Sequence, residues 1–166
     1  MMANTDTLNP RILTLKEKKL LGMSLKMSLV QNRTGELWSG FMPLRTTISD
    51  TVSEDKFSLQ EYPVDYFRQF SPNNEFVKWA AVEVSSYDNA PDKLERFILP
   101  GGLYAVFDYK GLSSDTSIFQ KIFSQWLPAS EYDLDHRPHF EVLGSKYRNN
   151  DPDSEEEIWI PIQSRE

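Results

Sequence analysis

The side chains of this chain that could do chemistry are mostly acids and aromatic rings. Cysteine is absent, which excludes disulfides, thiolate metal sites and cysteine nucleophiles. His136 and His139 stand near Asp133, Asp135 and Glu141, all of them metal-ligand types. Pro138 intervenes and the spacing fits no known metal motif, so they read as two unrelated histidines and no metal is expected. Glu141 is the acid to watch, because Phe140 and Val142 flank it on a run that reads as a buried strand. An unpaired carboxylate is costly there. Facing a cavity, it would pair with a ligand cation or, with its pKa raised by desolvation, act as a general base toward water. Facing out, it would pair with Arg or Lys.

The rings supply candidate walls. Trp79 and Trp159 are each either a stacking surface or a core anchor. Tyr104, Phe107 and Tyr147 form a second tier, and Trp38 lies on a helix stripe of the kind more often found in cores. Glu83 alternates in phase with Trp79 and is either a second cavity acid or a solvated strand end. Residues 151–157 form an acidic run without the central glycine of a calcium loop and read as a solvated turn. Gly101 and Gly102 open a strand, not a helix, so they mark a turn and not a phosphate cradle.

Composition narrows the partners. With 166 residues the chain fits one domain with a real core, and its net charge of −7 argues against nucleic acid as the main partner. A cationic ligand would be electrostatically favoured. No stretch is long and apolar enough to span a membrane, and the first residues are polar, so a cytoplasmic protein without a cofactor is expected.

The elements that must position these groups follow from periodicity. Residues 1–10 read as a flexible leader. Leu21, Met23, Leu25, Met27 and Leu29 alternate with small or polar residues, the signature of a half-buried strand. Leu37, Trp38, Phe41 and Met42 form a helix stripe that Pro43 ends or kinks. Strands are expected over 57–62, 76–84, 96–99, 103–109, 139–143 and 158–162. A second helix begins near Ser113 to Asp115, carries Ile118, Phe119, Ile122, Phe123, Trp126 and Leu127, and stops at Pro128.

The order strand, helix, strand, strand occurs twice. Residues 36–43 align with 121–128, Tyr62 and Pro63 with Arg137 and Pro138, and Trp79 with Trp159. The fold class read from this is α+β: two tandem βαββ repeats, about 11–85 and about 95–163, related by a pseudo-twofold axis. Each repeat is too small to cover both faces of its own sheet, so the copies must pack together, with a central ligand cleft at the seam. The alignment places Tyr66 across that cleft from Glu141.

Specific motifs add a family. Leu99-Pro100-Gly101-Gly102-Leu103-Tyr104-Ala105-Val106-Phe107, the helix ending 123–128, Arg137-Pro138-His139-Phe140-Glu141-Val142, residues 156–162 and Trp79-Ala80-Ala81-Val82-Glu83-Val84 together resemble GyrI-like domains. The likeness covers about residues 11–163 as a single domain. It implies a cleft that takes small organic molecules, often aromatic and cationic, with the glutamate of the Phe140-Glu141 pair facing it. Many GyrI-like domains sit behind a DNA-binding helix-turn-helix, which this chain lacks, so direct DNA binding is not expected. Stand-alone members include a gyrase-inhibitory protein and hydrolases that open cyclopropane-containing genotoxins. The resemblance thus leaves open a hydrolase with Glu141 as general base, or a protein partner such as a topoisomerase or a separate regulator.

Overall fold

Two alternating strands set the architecture. In β2 (Lys18–Ser28) Leu21 and Met27 are buried on one face and Leu20 on the other; in β4 (Glu75–Val84) Phe76, Ala80, Val82 and Val84 share one face and Trp79 and Ala81 the opposite one. Both strands are therefore covered on both sides. The computed structural model describes residues 8–165. Residues 1–7 of the expected leader lie outside that range.

The remaining elements are β1 (Arg11–Leu15), α1 (Thr34–Arg45), β3 (Lys56–Glu61), β5 (Glu95–Leu99), β6 (Gly102–Lys110), α2 (Ser117–Lys121), a π-helical stretch (Ile122–Trp126), α3 (Leu127–Ala129), β7 (Tyr132–Leu134), β8 (His139–Leu143) and β9 (Glu155–Ser164). The fold is α+β, and every strand pairing is antiparallel. The sheet runs β1-β6-β9-β8-β3-β4-β2-β5, with β7 attached to β9. Read outward from the β8–β3 junction, the sheet runs β8, β9, β6, β1 one way and β3, β4, β2, β5 the other, each arm ending in a short strand.

The edge strands are exchanged. β1 precedes β2 in the chain but pairs with β6, and β5 precedes β6 but pairs with β2. Only Lys16 and Glu17 separate β1 from β2, although these strands lie near opposite ends of the sheet order. The sheet must therefore curl until its edges meet. At the meeting point a Cβ on Gly101 would sit 2.6 Å from the Leu15 carbonyl oxygen, so only glycine fits.

The curl encloses a core from both halves, including Leu20, Leu59, Trp79, Leu99, Tyr104 and Phe140. Its outer face carries the helices. α1 covers β2 and β4 through Leu37 and Phe41, while α2 and the π-helical stretch cover β6 and β9 through Ile118 and Ile122. Between the two helices, on the outer face of β3 and β8, the buried polar residues Ser58, Gln60 and His139 gather.

Candidate functional site

Strand parity puts Glu141 on that outer face. Phe140 and Val142 pack into the inner core, so the residue between them must point toward the helices. Glu141 lines a cleft of about 610 Å³. One wall is α1, through Thr34, Gly35, Trp38 and Met42; the other is α2, through Ile118 and Phe119. The floor is Ser58 of β3, Lys78 of β4, Glu141 of β8, and Glu156 and Ile158 of β9.

A polar rim closes one edge. Ser113 Oγ donates to Asn149 Oδ1 at 3.1 Å, Ser114 Oγ to Asn150 Oδ1 at 2.8 Å, and Tyr147 Oη to Asn149 Oδ1 at 3.3 Å. Beyond His139, the aromatic residues of the turn after β3 span both halves. Phe67 stacks on Phe123 with centroids 5.3 Å apart and on His139 at 5.4 Å, and Tyr62 meets His139 edge-on at 4.9 Å.

The floor is electrically unusual. Desolvation raises the Glu141 carboxyl to about 7; Lys78 opposes the rise, Glu156 adds to it, and a hydrogen bond from Gln60 opposes it. Desolvation likewise raises Glu156 to about 7, again against Lys78. With its amide nitrogen turned toward Glu141, Gln60 donates to Glu141 Oε2 at 3.3 Å and to the His139 carbonyl at 3.3 Å. Lys78 Nζ donates to Thr34 Oγ1 at 3.1 Å. Burial among rings, with a smaller push from His136, lowers His139 to about 3 and keeps it neutral. Among the described residues no group of three or more His, Cys, Asp or Glu is placed to hold a metal ion.

The expected site residues divide cleanly. Glu141, Trp38 and Tyr147 line the cleft. Trp79, Trp159 and Tyr104 do not: they belong to the inner core, on the far side of the sheet. Each indole there is satisfied by a glutamate, Trp79 Nε1 donating to Glu61 Oε1 at 2.7 Å and Trp159 Nε1 to Glu157 Oε1 at 3.0 Å. Tyr104 donates to the Pro138 carbonyl at 2.8 Å beneath the Arg137 guanidinium, 4.8 Å from the ring centroid. Phe107 faces the helices but is sealed under Trp126, edge-on at 5.2 Å. Glu83 shares the Trp79 face and pairs with Lys18 at 3.2 Å.

Tyr66 is not opposite Glu141. It is buried beside Tyr62 and Phe76 and borders a separate polar groove of about 590 Å³ with Val30 and Asn73. Register explains the error. Ser58 faces Glu141 and Gln60 faces His139, so residues of β3, not of the turn after it, stand opposite that acid. Glu156 corrects the acidic-turn reading as well: β9 begins at Glu155 and carries Glu156 in phase with the buried Ile158, Ile160 and Ile162. That phase was a usable signal. The same holds for Lys78, which is in phase with the buried Ala80 and Val82 on β4.

A two-helix cleft over the centre of a curled antiparallel sheet, with acids on its floor, defines a GyrI-like effector-binding domain. The chain belongs to the Cass2 family of integron-associated effector binding proteins, whose model matches residues 11–162. It is 28% identical over 158 residues to the transcriptional regulator BrlR of Pseudomonas aeruginosa, covering 93% of this chain and 56% of that protein. The chain thus spans about half the length of this curated relative. Among solved structures it shares its fold with the EcmrR C-terminal domain, at a TM-score of 0.70 and 10% identity over 95% of this chain and 99% of that one. It shares it also with SAV2435 bound to tetraphenylphosphonium, at 0.62 and 17% over 94% of each chain. Among the described residues no helix is long and apolar enough to cross a membrane.

Proposed function

We propose that the cleft binds an organic cation bearing aromatic or other apolar groups. The observation that carries this reading is the pairing of two carboxylates, Glu141 and Glu156, on the floor of a cleft walled by Trp38, Met42 and Phe119. Rings and thioether offer dispersion and cation–π contact, and the low local dielectric strengthens attraction to the carboxylates. A binding cation also reverses the unfavourable desolvation of those two acids, which a neutral ligand of the same shape does not do. The structure of SAV2435 with tetraphenylphosphonium, and the effector-binding description of the family, support the reading. The net charge of −7 favours such a ligand over nucleic acid.

Calorimetric titration of tetraphenylphosphonium into the wild type, Glu141→Gln, Glu156→Gln and the double variant tests it. Saturable binding to the wild type is expected, weakened about tenfold or more in the double variant, as loss of a desolvated charge pair implies. Equal affinities across the four proteins would contradict it.

A second reading rests on one observation: a carboxylate with a pKa of about 7 suits a general base at neutral pH. Consumption of a strained electrophile at catalytic protein concentration, lost in Glu141→Gln, would favour a hydrolase. Stoichiometric binding without turnover favours a receptor.

A further inference from the structure

The cleft holds one feature that a receptor for simple cations does not need. Lys78 projects from β4 into the same floor as Glu141 and Glu156, and its Nζ is tied at 3.1 Å to Thr34 Oγ1, on the first residue of α1. It acts electrostatically on both acids. The cleft is therefore bipolar. Carboxylates lie on the β8 and β9 side, while an ammonium and the positive end of the α1 dipole, reached through Thr34 and Gly35, lie on the β4 side. A permanent cation entering this space is attracted by one side and repelled by the other.

We propose that Lys78 makes the cleft selective for ligands that carry an anionic or strongly accepting group close to their cation, zwitterions above all. The inference rests on the proposed function and adds to it the second half of the ligand. Glu141 and Glu156 hold the positive group, and Lys78 turns from Thr34 to the negative one. A lysine suits this role because its ammonium sits on a flexible stem and recognises an anion as a point charge. In the other reading of Lys78, it only offsets the two acids in the empty cleft. The two differ in outcome. An offsetting lysine only repels the cationic head, so its loss leaves the zwitterion bound no less tightly, whereas loss of a recognising lysine weakens the zwitterion itself.

Two probes with the same head and four-carbon chain separate these cases: butyltriphenylphosphonium, a pure cation, and carboxypropyl-triphenylphosphonium, a zwitterion at neutral pH. Their dissociation constants are measured by calorimetry on the wild type, Lys78→Met and Lys78→Arg, with thermal melting as a check on folding. In Lys78→Met the zwitterion is expected to bind about tenfold more weakly than in the wild type while the pure cation does not, and in Lys78→Arg both are expected to stay near their wild-type affinities. Binding of both probes with the zwitterion held no more weakly by Lys78→Met than by the wild type would overturn this inference while leaving the proposed function intact. Binding of neither probe to any of the proteins would overturn both.

Discussion

Gln60 and Glu141 meet across the β3–β8 junction, the Gln60 amide donating to Glu141 Oε2 at 3.3 Å. Gln60 lies on β3 in the first half of the chain and Glu141 on β8 in the second, with Gln60 directly opposite His139. One half thus supplies a neutral amide where the other supplies an acid, and the amide steadies the acid. That difference gives the cleft a direction. A ligand can distinguish its two ends.

The two raised acids set the pH response of binding. With Glu141 and Glu156 both near 7, the charge that attracts a cation forms between about pH 6 and pH 8. Cation affinity is expected to rise through that window and to fall away below it. Calorimetry at a series of pH values checks this, and Glu141→Gln should flatten the profile.

Stability should run the opposite way in the unliganded protein. These folded-state pKa values lie above the ordinary 4.5, so the native state holds more protons than the unfolded chain between about 4.5 and 7. The contribution of this pair therefore falls as pH rises through that interval. Urea midpoints should show it, and the Glu141→Gln, Glu156→Gln double variant should lose that part of the dependence.

Indole fluorescence distinguishes the two faces of the sheet. Trp38 lines the cleft, whereas Trp79 and Trp159 lie in the inner core. A ligand-induced change in emission is expected to vanish in Trp38→Phe and to persist in Trp79→Phe and Trp159→Phe. Loss of the change in Trp159→Phe alone would place the ligand on the wrong side of the sheet.

Tyr104→Phe removes the hydrogen bond to the Pro138 carbonyl without touching the cleft. It should cost about 1–2 kcal/mol, the usual penalty for stranding a buried partner, with ligand affinity unchanged. Gly101→Ala should cost about 2 kcal/mol or more, because the new Cβ would press on the Leu15 backbone oxygen where the sheet edges meet. Chemical denaturation measures both.

Much of the scaffold was legible because the physics behind it is periodic. The phase of Leu21, Met23, Leu25 and Met27 located β2, and β8 falls on residues 139–143 as expected. β1 escaped notice because its first four residues are exposed and its stability comes from pairing with β6, a partner 91 residues away for Leu13 and Tyr104. The π-helical turn at Ile122–Trp126 leaves no mark on the apolar stripe it interrupts. For the site, the family resemblance pointed Glu141 at a cleft, but nothing in the sequence told which face of the sheet carries it. β2, β4, β6 and β9 pack against core residues on both faces, so aromatic side chains abound on each side of the sheet. Trp79, Trp159 and Tyr104 were natural candidates that the curl consumed as core. Lys78 and Glu156 were hidden for a different reason: long charged side chains read as solvated until the elements that cover them are known.

The most direct measurement is a crystal structure of the protein with butyltriphenylphosphonium. Phosphorus density is expected between α1 and α2, above Glu141 and Glu156 and against Trp38. Density instead in the polar groove beside Val30, Tyr66 and Asn73, or inside the curl near Trp159, would contradict the assignment of the cleft as the cation site.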